Sequence, residues 1–503
     1  MHQAALTIDP ALRVSDVDPR LFGSFVEHMG RCVYTGIYEP DHPQADADGF
    51  RRDVADLVRE LGVPILRYPG GNFVSGYNWE DGIGPRDQRP RRLDLAWRSI
   101  ENNQVGVDDF VQWSRGVGSD VMMAVNLGTR GVDAARTLVE YCNHPSGTYW
   151  SDLRRTNGSP EPYGVKLWCL GNEMDGPWQI GHKTAGEYAR LAAETAKAMR
   201  RVDPTIELSA VGSSHQRMPT FGSWEATVLE ETYDVVDYVS LHSYYEELGG
   251  DRDSFLARAV DFDRFIEAVV ATCDSVRARG RHTKRIHLSV DEWNVWYQNK
   301  FVGEENLDWG EVPRLIEDTY SVTDAVVVGN LLISLLRHAD RVKIGCLAQL
   351  VNVIAPIRSE AGGAAWRQTI FHPFALTSKY GRGTVLRTEP TGPTHETAVQ
   401  GEVPILDVTA VRDEESGAVT LFAVNRDQSE ELTLELDLRA CSGLVSGEHV
   451  AIADADANAV NTADAPDRVT PRRLDEIKVV DGRATAVLPA LSWSMIRLQG
   501  GGS

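Results

Sequence analysis

Two glutamates follow apolar runs that lie more than a hundred residues apart in the chain. Glu173 comes soon after residues 165–170, and Glu292 comes soon after residues 285–290. A parallel strand buried on both faces reads as a continuous hydrophobic run, and barrel enzymes place chemistry where loops leave the C-terminal ends of such strands. Carboxylates at two strand ends can face each other across a bond, one as a general acid and the other as a nucleophile or base.

Both glutamates also have a purely structural interpretation. Glu173 could cap a helix, although Asn172 leaves the apolar run beside it and can donate to a substrate hydroxyl. Glu292 could form an ion pair with Arg67, but a neighbouring cation also favours the ionised form that a nucleophile needs. Asp291 precedes Glu292, and successive side chains on a strand point to opposite faces. We therefore expect only one of these two acids to face the interior.

Strand-like and helix-like patterns alternate eight times between about residue 21 and residue 380, which predicts an α/β fold with a (β/α)₈ TIM barrel. The predicted strands cover residues 21–26, 63–68, 121–126, 165–170, 206–211, 235–241, 285–290 and 342–350. The predicted helices cover residues 50–61, 108–117, 132–142, 184–201, 224–233, 255–277 and 321–338. The irregular stretch 76–100 is too long for a plain connection and is predicted to cover the barrel mouth.

The pattern changes after residue 381. Short alternating runs separated by turn signals predict an antiparallel β-sandwich. The run at residues 4–8 has no helix after it, so we expect this N-terminal strand to join the sandwich. The predicted domains are a catalytic barrel at 19–380 and a jelly-roll-like sandwich formed by 1–18 and 381–503.

Composition excludes several classes of partner. The net charge of −22 argues against binding nucleic acid or an anionic membrane, because both need a basic face. The six cysteines include no pair at CxxC spacing, and no HExxH or Cys/His cluster indicates a metal site. No basic leader followed by an apolar run begins the chain, and no apolar run approaches about 18 residues. We therefore expect a cytoplasmic protein without a metal.

Five strand-end motifs occur in order along the barrel sequence. They are EHMGR at 27–31, RYPGGNFV at 67–74, LGNEMDGPWQ at 170–179, HSYY at 242–245 and DEWNVWY at 291–297. Together they resemble the α-L-arabinofuranosidases of glycoside hydrolase family 51, a family of clan A. The resemblance runs from residue 27 to 349, and the terminal sandwich also matches the architecture of that family.

The resemblance implies a retaining mechanism with Glu173 as acid/base and Glu292 as nucleophile. Tyr244 and Arg67 would position the nucleophile, and Asn172 would contact the sugar 2-hydroxyl. The substrate-binding residues that it implies are Glu27, Asn72, Asn172, Tyr244, Gln349, Trp296 and Trp97, with Arg67 and His242 in support. It further implies a cofactor-free homo-oligomer, a hexamer, that acts on arabinofuranosyl-containing oligosaccharides.

Several alternatives stay open at this point. The same barrel could serve an endo-acting glycanase or a β-xylosidase, and a carbohydrate-binding protein without catalysis is a third possibility. The separation of the two carboxyl groups decides between retention and inversion, and sequence does not give it. Trp168 and Trp178 are predicted to pack rather than to contact a sugar. The acidic stretch 301–313 is predicted to be a solvated loop, with a role in shaping the leaving-group side as the alternative.

Overall fold

The computed structural model describes residues 1–500, so the last three residues of the predicted sandwich lie outside it. Eight parallel strands, numbered β1 to β8 in chain order, form a closed barrel. They are Gly23–Phe25, Ile65–Tyr68, Asp120–Ala124, Leu167–Leu170, Glu207–Ala210, Tyr238–Tyr245, His287–Val295 and Val342–Ala348. β1 pairs with both β2 and β8, which closes the ring. The predicted (β/α)₈ barrel is confirmed.

Helices connect most of the barrel strands. They are Arg52–Leu61, Val107–Gly116, Val132–Asn143, Tyr149–Thr156, Ala185–Val202, Ser223–Thr232, Arg252–Leu256, Arg258–Gly280, Val322–Arg337 and Phe371–Tyr380. The helix predicted at 255–277 is therefore two helices, which meet at Ala257. None of the helices within residues 1–500 is long and apolar enough to cross a bilayer.

Three barrel strands differ from their predicted bounds. A 3₁₀ helix, Pro19–Phe22, occupies the beginning of the first predicted strand and leaves β1 only three residues long. β6 and β7 continue beyond their apolar runs to Tyr245 and Val295. Residues predicted to follow these strands, Glu292 among them, therefore lie within the sheet, where hydrogen-bonded backbone fixes their position.

A bulge in β7 changes the direction of one acidic side chain. Ser240 pairs with Ser289 and His242 pairs with Glu292, so β7 has one residue more than β6 in this interval. A bulge opposes two residues to one and breaks the alternation of side chains. Asp291 consequently lies 3.8 Å from the Cys169 thiol on β4, and Glu292 faces the barrel mouth. The prediction that only one of the two acids faces the interior was wrong.

The irregular stretch after β2 folds over the barrel mouth. It contains the 3₁₀ helices Trp79–Gly82 and Arg86–Gln88 and a hairpin of Arg92–Asp94 with Ser99–Glu101. The Ile100 amide donates to the Gly310 carbonyl at 2.8 Å, which ties this hairpin to the loop after β7.

The C-terminal part contains two large sheets that share an apolar core, and a separate hairpin of Thr394–Thr397 with Gly401–Pro404. The larger sheet contains Arg13–Asp16, Thr384–Leu386, Leu406–Arg412, Val419–Asn425, Ser492–Gly500, Leu444–Ile452, Arg472–Arg473 and Ile477–Lys478. The smaller sheet contains His2–Thr7, Leu432–Asp437 and Arg483–Leu488. The N-terminal strand joins the sandwich as predicted, although it pairs in parallel with Leu432–Asp437.

The helix Val322–Arg337 joins the two parts of the molecule. Its sequence is apolar nearly all round because it packs between the barrel and the larger sheet of the sandwich. Gly329 faces the Trp493 ring, and a β-carbon at that position would lie 2.2 Å from a ring atom. Asn330 donates to Asp407 at 2.8 Å, so the contact also contains a buried polar pair.

Candidate active site

A cavity of about 340 Å³ opens at the C-terminal ends of the barrel strands. Eight of the eleven predicted site residues line it, and they are Glu27, Asn72, Trp97, Glu173, Tyr244, Glu292, Trp296 and Gln349. The other three, Arg67, Asn172 and His242, are buried behind these residues and contact them directly. The structure therefore brings all of the predicted site residues together.

Glu292 is held by two donors. Its Oε1 accepts from Arg67 Nη1 at 2.7 Å, and its Oε2 accepts from the Tyr244 hydroxyl at 2.8 Å. Burial and the Glu292 charge raise the pKa of Tyr244 well above its ordinary value, so Tyr244 keeps the proton that it donates. Both oxygens of the carboxylate thus have a fixed direction and a hydrogen-bond donor.

Arg67 connects Glu292 to the amides of the site. Its Nη2 donates to Asn172 Oδ1 at 2.7 Å, and Asn172 Nδ2 donates to Asn72 Oδ1 at 3.2 Å. Burial alone would lower the pKa of Arg67, but Asp291 and other neighbours outweigh it and hold this pKa well above the ordinary value. One permanent cation therefore orients both a carboxylate and the Asn172 amide, which in turn contacts Asn72 on the cavity wall.

Glu173 has a different environment. It follows β4 after Gly171, whose φ is 94°, and its own φ of 44° lies in the left-handed region. Few residues other than glycine adopt this conformation, and those that do concentrate at functional sites. Its Oε1 lies 2.9 Å from His242 Nδ1, and its Oε2 accepts from Trp178 Nε1 at 2.7 Å. The second contact is exposed to solvent.

His242 lies between the two glutamates. Its Nδ1 is 2.9 Å from Glu173 and 3.6 Å from Glu292, and its Nε2 is 3.0 Å from Asp291 Oδ1. Burial alone would lower the pKa of His242, but the three carboxylates outweigh it and raise this pKa to about 10. The three carboxylates therefore favour the imidazolium form of the ring, which donates from both nitrogens.

The two candidate carboxylates are close together. One oxygen of Glu173, one oxygen of Glu292 and one nitrogen of His242 all lie within 4.8 Å of one another. Retaining glycosidases hold their two carboxyl groups about 5–5.5 Å apart, whereas inverting enzymes need about 6.5–9.5 Å to admit a water. An oxygen-to-oxygen separation within 4.8 Å is close to the first range and well short of the second.

Glu27 lies on the other side of Glu292. Its Oε1 accepts from the Phe73 amide and from Trp97 Nε1, both at 2.9 Å, and Gln349 Nε2 lies 3.3 Å from its Oε2. Burial, together with the nearby charge of Glu292, raises the pKa of Glu27 to about 8. This carboxyl group is thus far easier to protonate than an exposed one.

Gly71 explains the pair of glycines between Pro69 and Asn72. A β-carbon at Gly71 would lie 3.0 Å from Glu292 Oε1 and 3.2 Å from Glu27 Oε2. Contacts this short are tighter than most side chains make, so a larger residue here would push against both carboxyl groups. The glycines therefore serve a close approach of the backbone to the acids and not a phosphate.

Comparison with known proteins identifies the family. Residues 57–264 match a family model described as the α-L-arabinofuranosidase 1 domain, and residues 291–492 match the α-L-arabinofuranosidase C-terminal domain. An intracellular exo-α-(1→5)-L-arabinofuranosidase from Streptomyces lividans is 61% identical over 501 residues, which cover 99% of this chain and 75% of that protein. The chain belongs to glycoside hydrolase family 51.

Two further family 51 relatives extend this result. An exo-α-(1→6)-L-arabinofuranosidase from Bifidobacterium longum is 50% identical and aligns over 99% of this chain and 98% of its own. The solved structure of a family 51 α-L-arabinofuranosidase from Bifidobacterium longum superposes with a TM-score of 0.95 at 49% identity, covering 99% of each chain. The recognised family and the barrel-plus-sandwich fold are both confirmed, and the chain is a glycoside hydrolase.

The walls of this family 51 site include the three tryptophans Trp97, Trp296 and Trp178. Trp97 donates to Glu27, and Trp296 stands edge-on to Tyr244 with ring centroids 5.2 Å apart. Trp178 is 41% exposed and stacks on His215 at 6.2 Å. Trp178 packs against another ring, as predicted, but it does so on the cavity wall and not in the core.

Other functional positions were not predicted as site residues. Neither Asp291 nor His215 was predicted to have a role. Phe301 and Glu304 line the cavity, so the acidic stretch 301–313 shapes the mouth, which was the alternative interpretation. Trp178 could have been predicted as a site residue, because it lies five residues after Glu173 within the same strand-end motif. Trp168, in contrast, is fully buried as predicted.

Proposed function

We propose that this family 51 hydrolase is an exo-acting retaining α-L-arabinofuranosidase that removes terminal non-reducing α-L-arabinofuranosyl units from oligosaccharides derived from arabinan or arabinoxylan. The names of the similar proteins support the sugar and the exo action. Those names differ in linkage, (1→5) in one and (1→6) in the other, so the proposal includes no linkage preference.

The observation that carries the retaining mechanism is the short distance between the oxygens of Glu173 and Glu292, which is within 4.8 Å. In the first step, a Glu292 oxygen forms a bond to the anomeric carbon while the bond from that carbon to the leaving oxygen breaks. Glu173 gives its proton to the leaving oxygen. The product is a glycosyl ester on Glu292 and an ionised Glu173.

The second step reverses the roles. Glu173 takes a proton from water, the hydroxyl adds to the anomeric carbon, and the ester bond to Glu292 breaks. Arg67 and Tyr244 support this step because they stabilise the carboxylate that leaves. The sugar departs with its original anomeric configuration because the carbon is inverted twice.

We assign the sugar hydroxyls to the polar groups on the cavity wall. Glu27, Asn72 and Gln349 on the wall and Asn172 directly behind Asn72 supply donors and acceptors, while Trp97 and Trp296 enclose the ring. Gln349 Oε1 supports this assignment, because it is a buried acceptor without a hydrogen-bond partner within residues 1–500. A buried polar atom of this kind costs free energy unless a ligand satisfies it.

The test is the initial rate of hydrolysis of four aryl glycosides. We expect the α-L-arabinofuranoside to be cleaved far faster than the β-D-xylopyranoside, β-D-glucopyranoside and β-D-galactopyranoside. Preference for the xylopyranoside would favour the β-xylosidase alternative. Cleavage within longer chains, seen by product sizing, would favour an endo-glycanase, and binding without turnover would favour a carbohydrate-binding protein.

We propose the cellular location of this enzyme from its relatives and its assembly from the family resemblance. The relative from Streptomyces lividans is named intracellular, and we propose that this enzyme likewise acts inside the cell on imported oligosaccharides. The mechanism needs no cofactor, because two carboxyl groups and water supply every proton and bond. The homohexamer is a prediction that light scattering would test. The domain limits at residues 18/19 and 380/381 are predictions that separate expression of the barrel would test.

A further inference from the structure

Asp291 is a buried carboxylate that the proposed reaction does not use. It is 1% exposed, and the bulge in β7 turns it into the barrel beneath Glu292. Its Oδ1 lies 3.0 Å from His242 Nε2. Its Oδ2 has only longer contacts, 3.8 Å to Arg67 Nε and 3.8 Å to the Cys169 thiol. The short hydrogen bond of Asp291 is therefore the one to His242.

The charges around His242 differ in how they change during the reaction. Glu173 approaches from the loop after β4, while Glu292 and Asp291 come from β7, and Arg67 lies behind both acids. In the proposed double displacement, Glu173 is protonated while Glu292 is ionised, and then Glu292 is esterified while Glu173 is ionised. Asp291 alone keeps its charge throughout.

The ionisation of Asp291 is itself secured by its neighbours. Burial alone would raise the pKa of Asp291, but Arg67 and His242 outweigh it and hold this pKa below the ordinary value. A carboxylate that stays charged next to an imidazole favours the doubly protonated ring. His242 then has one possible orientation, with Nε2 toward Asp291 and Nδ1 toward Glu173.

We propose that Asp291 is a positioning residue that acts through His242, keeping both ring nitrogens protonated so that Nδ1 donates to Glu173 in both steps. The proposal rests on the acid/base role of Glu173 in the proposed function. A donating Nδ1 occupies Glu173 Oε1 and leaves the proton of the acid on Oε2, the oxygen that also contacts the exposed Trp178. That oxygen is the one accessible to the leaving group.

The consequence of losing the Asp291 charge follows from the same geometry. In Asp291→Asn the new amide oxygen can still accept from Nε2, but the ring loses its second proton more readily. A neutral ring then presents a lone pair at Nδ1 and accepts a hydrogen bond from protonated Glu173. The acid would point at His242 instead of at the leaving oxygen.

The experiment compares the pH profiles of Asp291→Asn and the unaltered enzyme on phenyl α-L-arabinofuranoside, whose leaving group needs protonation. At pH 7 we expect kcat/KM to fall roughly 10- to 100-fold, within the contribution of one general acid. The loss should shrink at lower pH, where His242 regains its proton, so that the alkaline limb moves to lower pH by one unit or more. A uniform loss at every pH would overturn the proposal.

Two further variants test whether Asp291 acts through His242 or independently of it. Cys169→Ser changes the group beside the other oxygen of Asp291 and should keep the pH profile of the unaltered enzyme. His242→Gln combined with Asp291→Asn should be about as slow as His242→Gln alone, because both substitutions remove the same function. If the fold-losses of the two single variants multiply in the double variant, then Asp291 acts independently of His242 and the proposal is refuted.

The double variant also decides the case in which Asp291→Asn does not fold. If His242→Gln restores folding, the defect arose from the His242 ring beside the new amide, so Asp291 acts through His242 as the proposal requires. If the double variant is also unfolded, the role of Asp291 is structural and the proposal is wrong. Failure of the proposed function is seen separately, in an unaltered enzyme that does not cleave the α-L-arabinofuranoside at all.

Discussion

The ends of β4 and β7 each present a glutamate to the same cavity, but they hold it differently. Glu292 lies within its strand, is buried, and has both oxygens fixed by Arg67 and Tyr244. Glu173 lies beyond its strand in a left-handed conformation, and one of its oxygens contacts the partly exposed Trp178. The fixed carboxylate is suited to attack a carbon, whereas the other can exchange partners as it gives and takes a proton.

This contrast shows how two identical side chains acquire different roles. A nucleophile must be ionised before the substrate arrives, and a buried guanidinium at 2.7 Å favours that state. An acid/base must alternate between two states, which requires an oxygen open to the leaving group and to water. Each prediction below tests one side of the contrast.

The largest effect is expected at Glu292. Glu292→Gln keeps the shape of the side chain but removes the charge and the nucleophilicity, so we expect kcat to fall on the order of 10⁴-fold or more on every substrate. The measurement is hydrolysis of aryl α-L-arabinofuranosides with good and poor leaving groups. Equal losses on both, in protein with an unchanged circular dichroism spectrum, are the predicted pattern. Residual activity near that of the unaltered enzyme would exclude Glu292 as the nucleophile.

A smaller and substrate-dependent loss is expected at Glu173. Glu173→Ala removes the proton donor, so we expect a loss of about 10²- to 10⁴-fold on arabino-oligosaccharides and a much smaller loss in the first step on dinitrophenyl substrates. Adding azide should restore turnover of the activated substrate, because the anion replaces the water that Glu173 would activate. Equal losses on natural and activated substrates would contradict the acid/base role.

Comparison of the sequence-based predictions with the structure shows where local pattern is sufficient. The barrel strands were found because strands buried on both faces give continuous apolar runs, and the polar residues after them had to meet at one end of the barrel. The helix Ala185–Val202 was found from its periodicity and from Thr184, which accepts from the Glu187 amide at its N-terminus. Both kinds of signal lie within a few neighbouring residues.

The features that were missed depend on distant parts of the chain. Nothing near Asp291 indicates the bulge, which appears only where β6 and β7 pair. Trp178 and His215 come from different loops, and only the closed barrel brings their rings together. Such contacts are set by tertiary packing, so no short segment of the sequence predicts them.

Glu27 lies beside Glu292, and its raised pKa makes the stability of the folded enzyme depend on pH. The pKa of Glu27 is about 8 in the folded enzyme and the ordinary value is 4.5, so its stabilising contribution is fully present below about pH 4.5 and is lost as the pH rises through 8. Glu27→Gln does not titrate. We expect its melting temperature, relative to the unaltered enzyme, to rise by a few degrees between pH 5 and pH 9. A difference that is constant with pH would contradict the raised pKa.

The smallest effect is expected at Trp178. Trp178→Phe keeps an aromatic ring but removes the N–H that donates to Glu173, so we expect less than about a tenfold change in kcat/KM, because this contact is exposed. The matched control is Trp309→Phe, an exposed tryptophan that does not line the cavity. A loss of several hundredfold in kcat/KM for Trp178→Phe would mean that Glu173 is held as rigidly as Glu292.

The most direct test of the central claim is the mass of Glu173→Ala during reaction with 2,4-dinitrophenyl α-L-arabinofuranoside. This variant should form the glycosyl ester rapidly and hydrolyse it slowly. We predict that intact-mass spectra show the protein carrying one arabinosyl unit and that peptide mapping places the unit on Glu292. Turnover without any adduct, or an adduct on another residue, would contradict the assignment of the two glutamates.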